Sequence, residues 1–197
     1  MKKSFFFGLA LVCCLVSTAQ NSWGLLSSLN FDKISGDGMS NKFGTGYNAG
    51  AYAQIQIIKK LSIQPQFLFS QRNVNASSGF KSTFPESASS NFKTAISTNY
   101  ISMPLLLNYK FTNSFSLNLG PQFSYVLDTD EKLLAGNYLA FKGRDLSLIG
   151  GVELKLSSFK LFSQYNYGLY NLNKIDNGQR QWQSRGFQFG IGWKISR

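Results

Sequence analysis

The chain has 197 residues, no histidine, and 20 Lys or Arg against 9 Asp or Glu, giving a formal net charge of +11. Charged residues make up 15%, well below the roughly 25% of an ordinary soluble domain. Without histidine the usual general base, the Ser-His-Asp arrangement and most zinc sites are unavailable, so no enzyme is expected.

The chain opens with Lys2 and Lys3, an apolar run from Phe5 to Val16, and small residues at Ser17 and Ala19. This is the three-part pattern of a secretory signal peptide over residues 1–19, with cleavage before Gln20 and one domain over 20–197. The apolar run is too short for a spanning helix. Both cysteines, Cys13 and Cys14, fall inside it. The mature chain then has no thiol, which excludes disulfides, thiolate metal sites and cysteine nucleophiles together. Export argues against nucleic acid as a partner. It turns the basic balance toward outer-membrane lipid and lipopolysaccharide.

A first strand is predicted from Trp23 to Phe31, and Asp32 to Thr45, rich in Gly, Ser, Asn and Asp, reads as a loop. Gly46 to Ile57 alternates Tyr47, Ala49, Ala51, Ala53, Ile55 and Ile57 with polar or small residues, so its period is two. After a tight turn at Ile58-Lys59-Lys60, a third strand carries Leu61, Ile63, Pro65, Phe67 and Phe69 on one face. The glycines at 44, 46 and 50 loosely suggest a nucleotide loop, but no helix follows them. Val74 to Thr98 is a long Ser-rich connection.

Asn99 to Asp128 reads as a hairpin that is amphipathic along its full length, with a turn at Thr112 to Ser114 that sets Phe111 opposite Phe115. Each arm is long enough to cross a bilayer as a tilted strand, for which about 9 to 11 residues are needed. A second long connection, Thr129 to Gly143, precedes a sixth strand from Asp145 to Leu156. A two-residue turn at Ser157-Ser158 leads to a seventh from Phe159 to Tyr170. Asn171 to Arg185 is a further polar connection, and Gly186 to Ile195 is the eighth strand.

Long and short connections alternate without exception in this reading. Termini and tight turns then share one end and the long loops the other, which is the asymmetry of barrels with periplasmic turns and extracellular loops. Aromatics gather at two levels: Trp23, Tyr109, Phe111, Phe115, Phe159 and Trp193 at the turn end, Phe31, Tyr47, Phe69, Tyr125, Tyr167 and Phe187 at the other. An aliphatic band lies between, as a bilayer with two interfaces selects. The expected fold is all-β, an eight-stranded antiparallel up-and-down transmembrane β-barrel in the bacterial outer membrane. The alternative is a soluble exported lipocalin-like barrel holding an apolar ligand inside.

The second face of the strands is mostly Ser, Asn, Gln and Gly, which suits the crowded lumen of an eight-stranded barrel. With the Ser157-Ser158 turn, Lys155 falls opposite Lys160, and Glu153 falls diagonal to Lys160 on the inward face. A lumen charge cluster is expected there, joined by Lys110 and Lys194 near the periplasmic mouth. Buried charge balance without transport is its plainer reading. Pro65, Pro104 and Pro121 interrupt proposed strands, and bulges are expected at those points.

Loop residues are the place for specific function. Leu133, Leu134, Tyr138 and Phe141 make one connection unusually apolar, as a lid over the mouth or a hold for a partner. Arg180, Trp182 and Arg185 are candidates to grip lipopolysaccharide phosphates or a glycan, with the aromatic at the membrane interface; for both loop groups simple packing at the rim is the plainer alternative. No cofactor is implied, and the spacing of Asp32, Asp37 and Asn41 matches no EF-hand.

The segment Tyr100-Ile-Ser-Met-Pro-Leu-Leu-Leu-Asn-Tyr-Lys-Phe, followed by Leu119-Gly-Pro-Gln-Phe-Ser-Tyr, resembles the central signature of the Bacteroidetes outer-membrane β-barrel family that includes PorT-like proteins. Tyr165-Asn-Tyr-Gly-Leu is similar to it as well. The resemblance implies an eight-stranded outer-membrane barrel and, for some relatives, a part in type IX secretion or gliding. It carries over no catalytic residue. A structural or interaction protein, with an envelope protein as a candidate partner, is the functional expectation.

Overall fold

The structure, a computed structural model, describes residues 21–77, 79–83, 95–130, 143–173, 175 and 180–195. The segment read as a signal peptide lies outside them, as do Leu133, Leu134, Tyr138 and Phe141. Eight strands run β1 Ser22–Ser35, β2 Met39–Ile58, β3 Leu61–Ala76, β4 Ala95–Lys110, β5 Phe115–Asp130, β6 Arg144–Leu156, β7 Phe159–Gly168 and β8 Gln183–Lys194. Each pairs antiparallel with its neighbour in sequence, and β8 pairs with β1, so the sheet closes into a barrel. Closure leaves no edge strand.

Following partners round the wall from Trp23, through Pro65–Leu105, Pro121–Leu148 and Tyr167, the row returns to β1 at Lys33. That stagger tilts the strands, and a tilted wall of eight strands encloses an interior that side chains can fill. Side chains then alternate strictly. Leu25, Leu29, Phe67, Leu119 and Tyr125 point outward and are 49%, 56%, 57%, 55% and 62% exposed, while Ser28, Asn48, Gln64, Asn118 and Gln122 are buried inside. A wall apolar outside and polar within is the reverse of a lipocalin, whose apolar ligand needs an apolar interior. The soluble alternative is set aside on this orientation.

Three expectations about the wall need correction. Asp32 to Thr45 is not a loop: β1 and β2 continue, and only Gly36-Asp37-Gly38 turns, with φ of 148° and 78° at the two glycines. The composition that reads as a loop serves crowding instead. A Cβ on Gly44 would lie 1.9 Å from the Asn73 carbonyl oxygen of β3, so glycine there permits close strand approach. The first connection at the loop end is therefore short, and the alternation of long and short is not strict. Val74 to Ala76 likewise belong to β3 and Ala95 to Thr98 to β4, and the described part of the connection between them holds a short helical turn, α1, Phe80–Thr83.

The prolines bring no bulges. Pro65 pairs with Leu105, Pro104 with Gln122 and Pro121 with Leu148 in registers that run straight through. The shifts occur elsewhere, at Met39/Phe43, Phe43/Tyr47 and Gln56/Ile58 in the β2–β3 ladder and at Asn99/Tyr100 in β4–β5. Each proline withholds one donor from a ladder whose neighbouring pairs hold the register.

The tight turns follow expectation. Lys110 faces Ser116, and the Phe111 amide donates to the Phe115 carbonyl at 2.9 Å. Thr112 Oγ1 accepts from the amides of Ser114 and Phe115 at 3.3 and 3.0 Å, which gives two of the turn's backbone donors a partner. Leu156 faces Phe159 across Ser157-Ser158, and Ser157 takes a positive φ of 54°.

Candidate functional site: a filled lumen and a capped loop end

The lumen is filled in layers. Nearest the turn end, Lys155 and Lys160 are register partners. Lys160 Nζ lies 2.9 Å from Glu153 Oε2 and donates to Gln64 Oε1 at 3.0 Å, and it stands 3.6 Å from the Tyr52 ring centroid. Lys155 Nζ reaches Glu153 Oε1 at 3.9 Å and donates to Gln54 Oε1 at 3.1 Å. Glycine makes room for this arrangement: a Cβ on Gly192, the partner of Lys160, would come within 2.7 Å of Lys160 Cε. Lys110 and Lys194 form no ion pair among the described residues. Their backbone amides close the turn end by donating to Lys60 and Ser158 carbonyls, each at 2.7 Å.

Sequence reasoning found the charges of this cluster and missed its neutral members. Gln54, Gln64 and Tyr52 come from β2 and β3, on the far side of the lumen. Their inward parity was available as a signal, although which strand they face across the barrel was not.

The inward face is not uniformly polar. Leu26, Tyr52, Leu68 and Phe162 pack into an apolar cluster, and Leu106 and Ile149 are also fully buried. An amide chain crosses the lumen among them: Asn48 donates to Ser28 and to Gln188, each at 2.9 Å, Gln188 to Gln164 at 2.5 Å, and Gln164 to Asn118 at 3.0 Å. Hydroxyls of Ser70, Ser102 and Ser124 form a second chain at 3.0 and 3.1 Å. Amides and hydroxyls suit this place because each both donates and accepts, so they can link to one another across a buried interior without net charge.

Above this lies a second ionic layer that sequence reasoning did not isolate. Arg72 Nη1 pairs with Asp145 Oδ2 at 3.1 Å, Nη2 donates to Ser124 at 3.3 Å, and the guanidinium sits 4.9 Å from the Tyr100 ring centroid. Asp32 is buried beside them with Asn30 donating to it at 3.1 Å. Two spaces border Arg72, each of about 10 Å³, room for about one water at most.

The loop end is closed by an apolar cap. Ile34, Val74, Ala76, Phe80, Ile96, Leu172 and Trp182 form a buried cluster on the strand extensions and α1. Trp182 is 0% exposed, its Nε1 donates to the Asp37 carbonyl at 3.0 Å, and its amide donates to Asn171 Oδ1 at 2.9 Å. Phe80 packs on it with ring centroids 6.3 Å apart. Of the two expectations for Trp182, packing at the rim holds and the interfacial anchor does not. The indole is consumed by the cap because the strands outrun the apolar band and need a core of their own there.

The three residues grouped from sequence part company. Arg180 is exposed and pairs with Asp37 at 3.7 Å. Arg185 stays on the outward wall over the Tyr167 ring, 5.3 Å from its centroid, and its register partner is Lys33.

A closed, staggered barrel with an apolar outside, aromatics at both rims and a packed, mostly polar interior is a membrane-spanning β-barrel. Residues 18–174 match the family of the outer membrane protein beta-barrel domain, and the chain belongs to that family. No curated protein matches it. Among solved structures it is similar to Ail, the attachment invasion locus protein of Yersinia pestis, crystallised with the heparin analogue sucrose octasulfate. The two share 13% identity at a TM-score of 0.53, over 89% of this chain and 99% of that one. Neisserial surface protein A gives 13% identity and a TM-score of 0.54 over 88% and 97%. At such identity the likeness speaks for the fold alone.

Proposed function

We propose that this small outer-membrane barrel is a structural or interaction protein that works through its long-loop end, turned to the cell exterior, with the termini in the periplasm. The observation that carries the reading is the interior. Two ion-paired layers, an amide chain and an apolar cap follow one another along the axis, and the spaces beside Arg72 hold about one water. Solute passage has no route through such packing. The chain carries no histidine, which supports binding over catalysis.

Contact then falls to the loops, with Leu133, Leu134, Tyr138 and Phe141 as the apolar holds for a protein partner and Arg180 as an exposed cation. The resemblance to PorT-like proteins supports a place as accessory to an envelope or type IX secretion complex. Ail binds a sulfated polyanion in its crystal, and the basic balance of this chain supports anionic outer-membrane lipid and lipopolysaccharide as its surroundings.

Two measurements test this. The purified protein in planar bilayers is expected to give no stepwise conductance, and discrete channel openings overturn the closed-lumen reading. On native gels of gently solubilised outer membrane, the wild type is expected above monomer mass, and a variant with residues 131–142 replaced by a short turn at monomer mass. A wild type that runs as a monomer overturns the interaction reading.

A further inference from the structure

Lys33 and Arg185 face each other directly across the β1–β8 seam, both on the outward side of the wall. Like charges at opposed ladder positions sit with Cβ atoms about 5 Å apart and repel. Neither has a carboxylate partner among the described residues. Asp32, next to Lys33 in the chain, points into the lumen, where it is 4% exposed. The contacts that these two cations do make are neutral: Lys33 donates to Asn41 Oδ1 at 3.2 Å and Arg185 to Gln183 Oε1 at 2.9 Å. Arg185 Nε is buried and donates to nothing described.

The pair also rests on rings. Lys33 Nζ lies 5.1 Å from the Phe43 centroid, and the Arg185 guanidinium 5.3 Å from that of Tyr167. Toward the turn end the wall continues as an aromatic bed, with Phe43–Phe187 at 6.2 Å, Tyr165–Phe187 at 4.8 Å and Phe31–Phe189 at 6.3 Å. Two cations held in repulsion at the upper rim of an apolar wall fit an anion that brings its own hydrocarbon. A phosphomonoester carries about −1.5 to −2 charge near neutral pH, matching two cations, whereas a phosphodiester headgroup supplies one negative charge.

Resting on the orientation proposed above, we propose that Lys33 and Arg185 hold a phosphomonoester of an outer-leaflet glycolipid of the lipid A type, its acyl chains lying on the bed around Phe187. Guanidinium takes two phosphate oxygens in a fork and the ammonium a third.

The full-length protein, purified from outer membranes into phosphatidylcholine nanodiscs, is titrated with bisphosphorylated lipid A, with the same lipid dephosphorylated, and with phosphatidylglycerol. Bound lipid is read by native mass spectrometry. The wild type is expected to prefer the bisphosphorylated lipid by about tenfold or more over the other two. The double variant Lys33→Gln/Arg185→Gln is expected to lose that preference, and Lys33→Arg/Arg185→Lys to keep most of it. Heat-modifiable gel migration checks that each barrel is folded. Equal binding of phosphatidylglycerol by the wild type, or a preference that survives in the glutamine variant, overturns the assignment. If the glutamine variant does not fold, the three lipids on the wild type still decide. A failed lipid preference with silent bilayers sinks this site alone, whereas channel openings sink the closed-lumen reading.

Discussion

Lys160 Nζ and Glu153 Oε2 meet at 2.9 Å across the β6–β7 hairpin, with side chains only 5% and 1% exposed. Removing one partner of a buried pair leaves the other charge uncompensated, which costs about 3–5 kcal/mol. Glu153→Gln is therefore expected to lower the denaturant midpoint of the folded barrel, followed by the shift in gel migration. Adding Lys160→Met should recover much of the loss, since the two changes act on one interaction. An unchanged midpoint in Glu153→Gln rules the pair out as a support of the barrel.

Arg72 stands to Asp145 as Lys160 stands to Glu153, with Asp32 buried alongside. Arg72→Met is expected to destabilise by a similar 3–5 kcal/mol or so, because two carboxylates lose their cation. It is not expected to open a pore, since the cap above and the amide chain below remain. Denaturant titration and bilayer recording on the same preparation check both halves.

Trp182 fills the centre of the apolar cap, and truncating a buried tryptophan costs about 3–5 kcal/mol. The cap stands on the strand extensions, so the loss is expected to be local. Trp182→Ala should speed proteolysis and amide exchange at the loop end and leave heat-modifiable migration intact. Loss of the folded band instead would show that cap and barrel form one cooperative unit.

Leu119 lies on the outward wall of β5, between the rim aromatics Phe115 and Tyr125, and is 55% exposed. A cation on the lipid face near the bilayer midplane costs about 2–4 kcal/mol. Leu119→Arg is expected to lower folding yield in lipid vesicles by that margin, whereas a water-exposed position would tolerate it.

The alternation of Phe115 to Tyr125 and of Phe187 to Trp193 was enough to assign strands, their outward faces and the tight turns. Side-chain parity is a local property that each strand carries in its own sequence. The Glu153–Lys160–Lys155 cluster was legible for the same reason, since its members share one hairpin and a two-residue turn fixes their register. Glycine-rich composition misled between Asp32 and Thr45, because a crowded ladder and a loop ask for the same small residues.

What closure decides could not be read from any one strand. Arg72 meets Asp145 across 73 positions of sequence, and Trp182 leaves the surface for the cap only because the ends of β1, β3 and β4 rise around it. Lys33 and Arg185, on the first strand and the last, become neighbours only where the stagger of the whole barrel brings them together. Parity fixes which way each side chain points, while strand number, tilt and shear, as properties of the closed wall, fix what it meets.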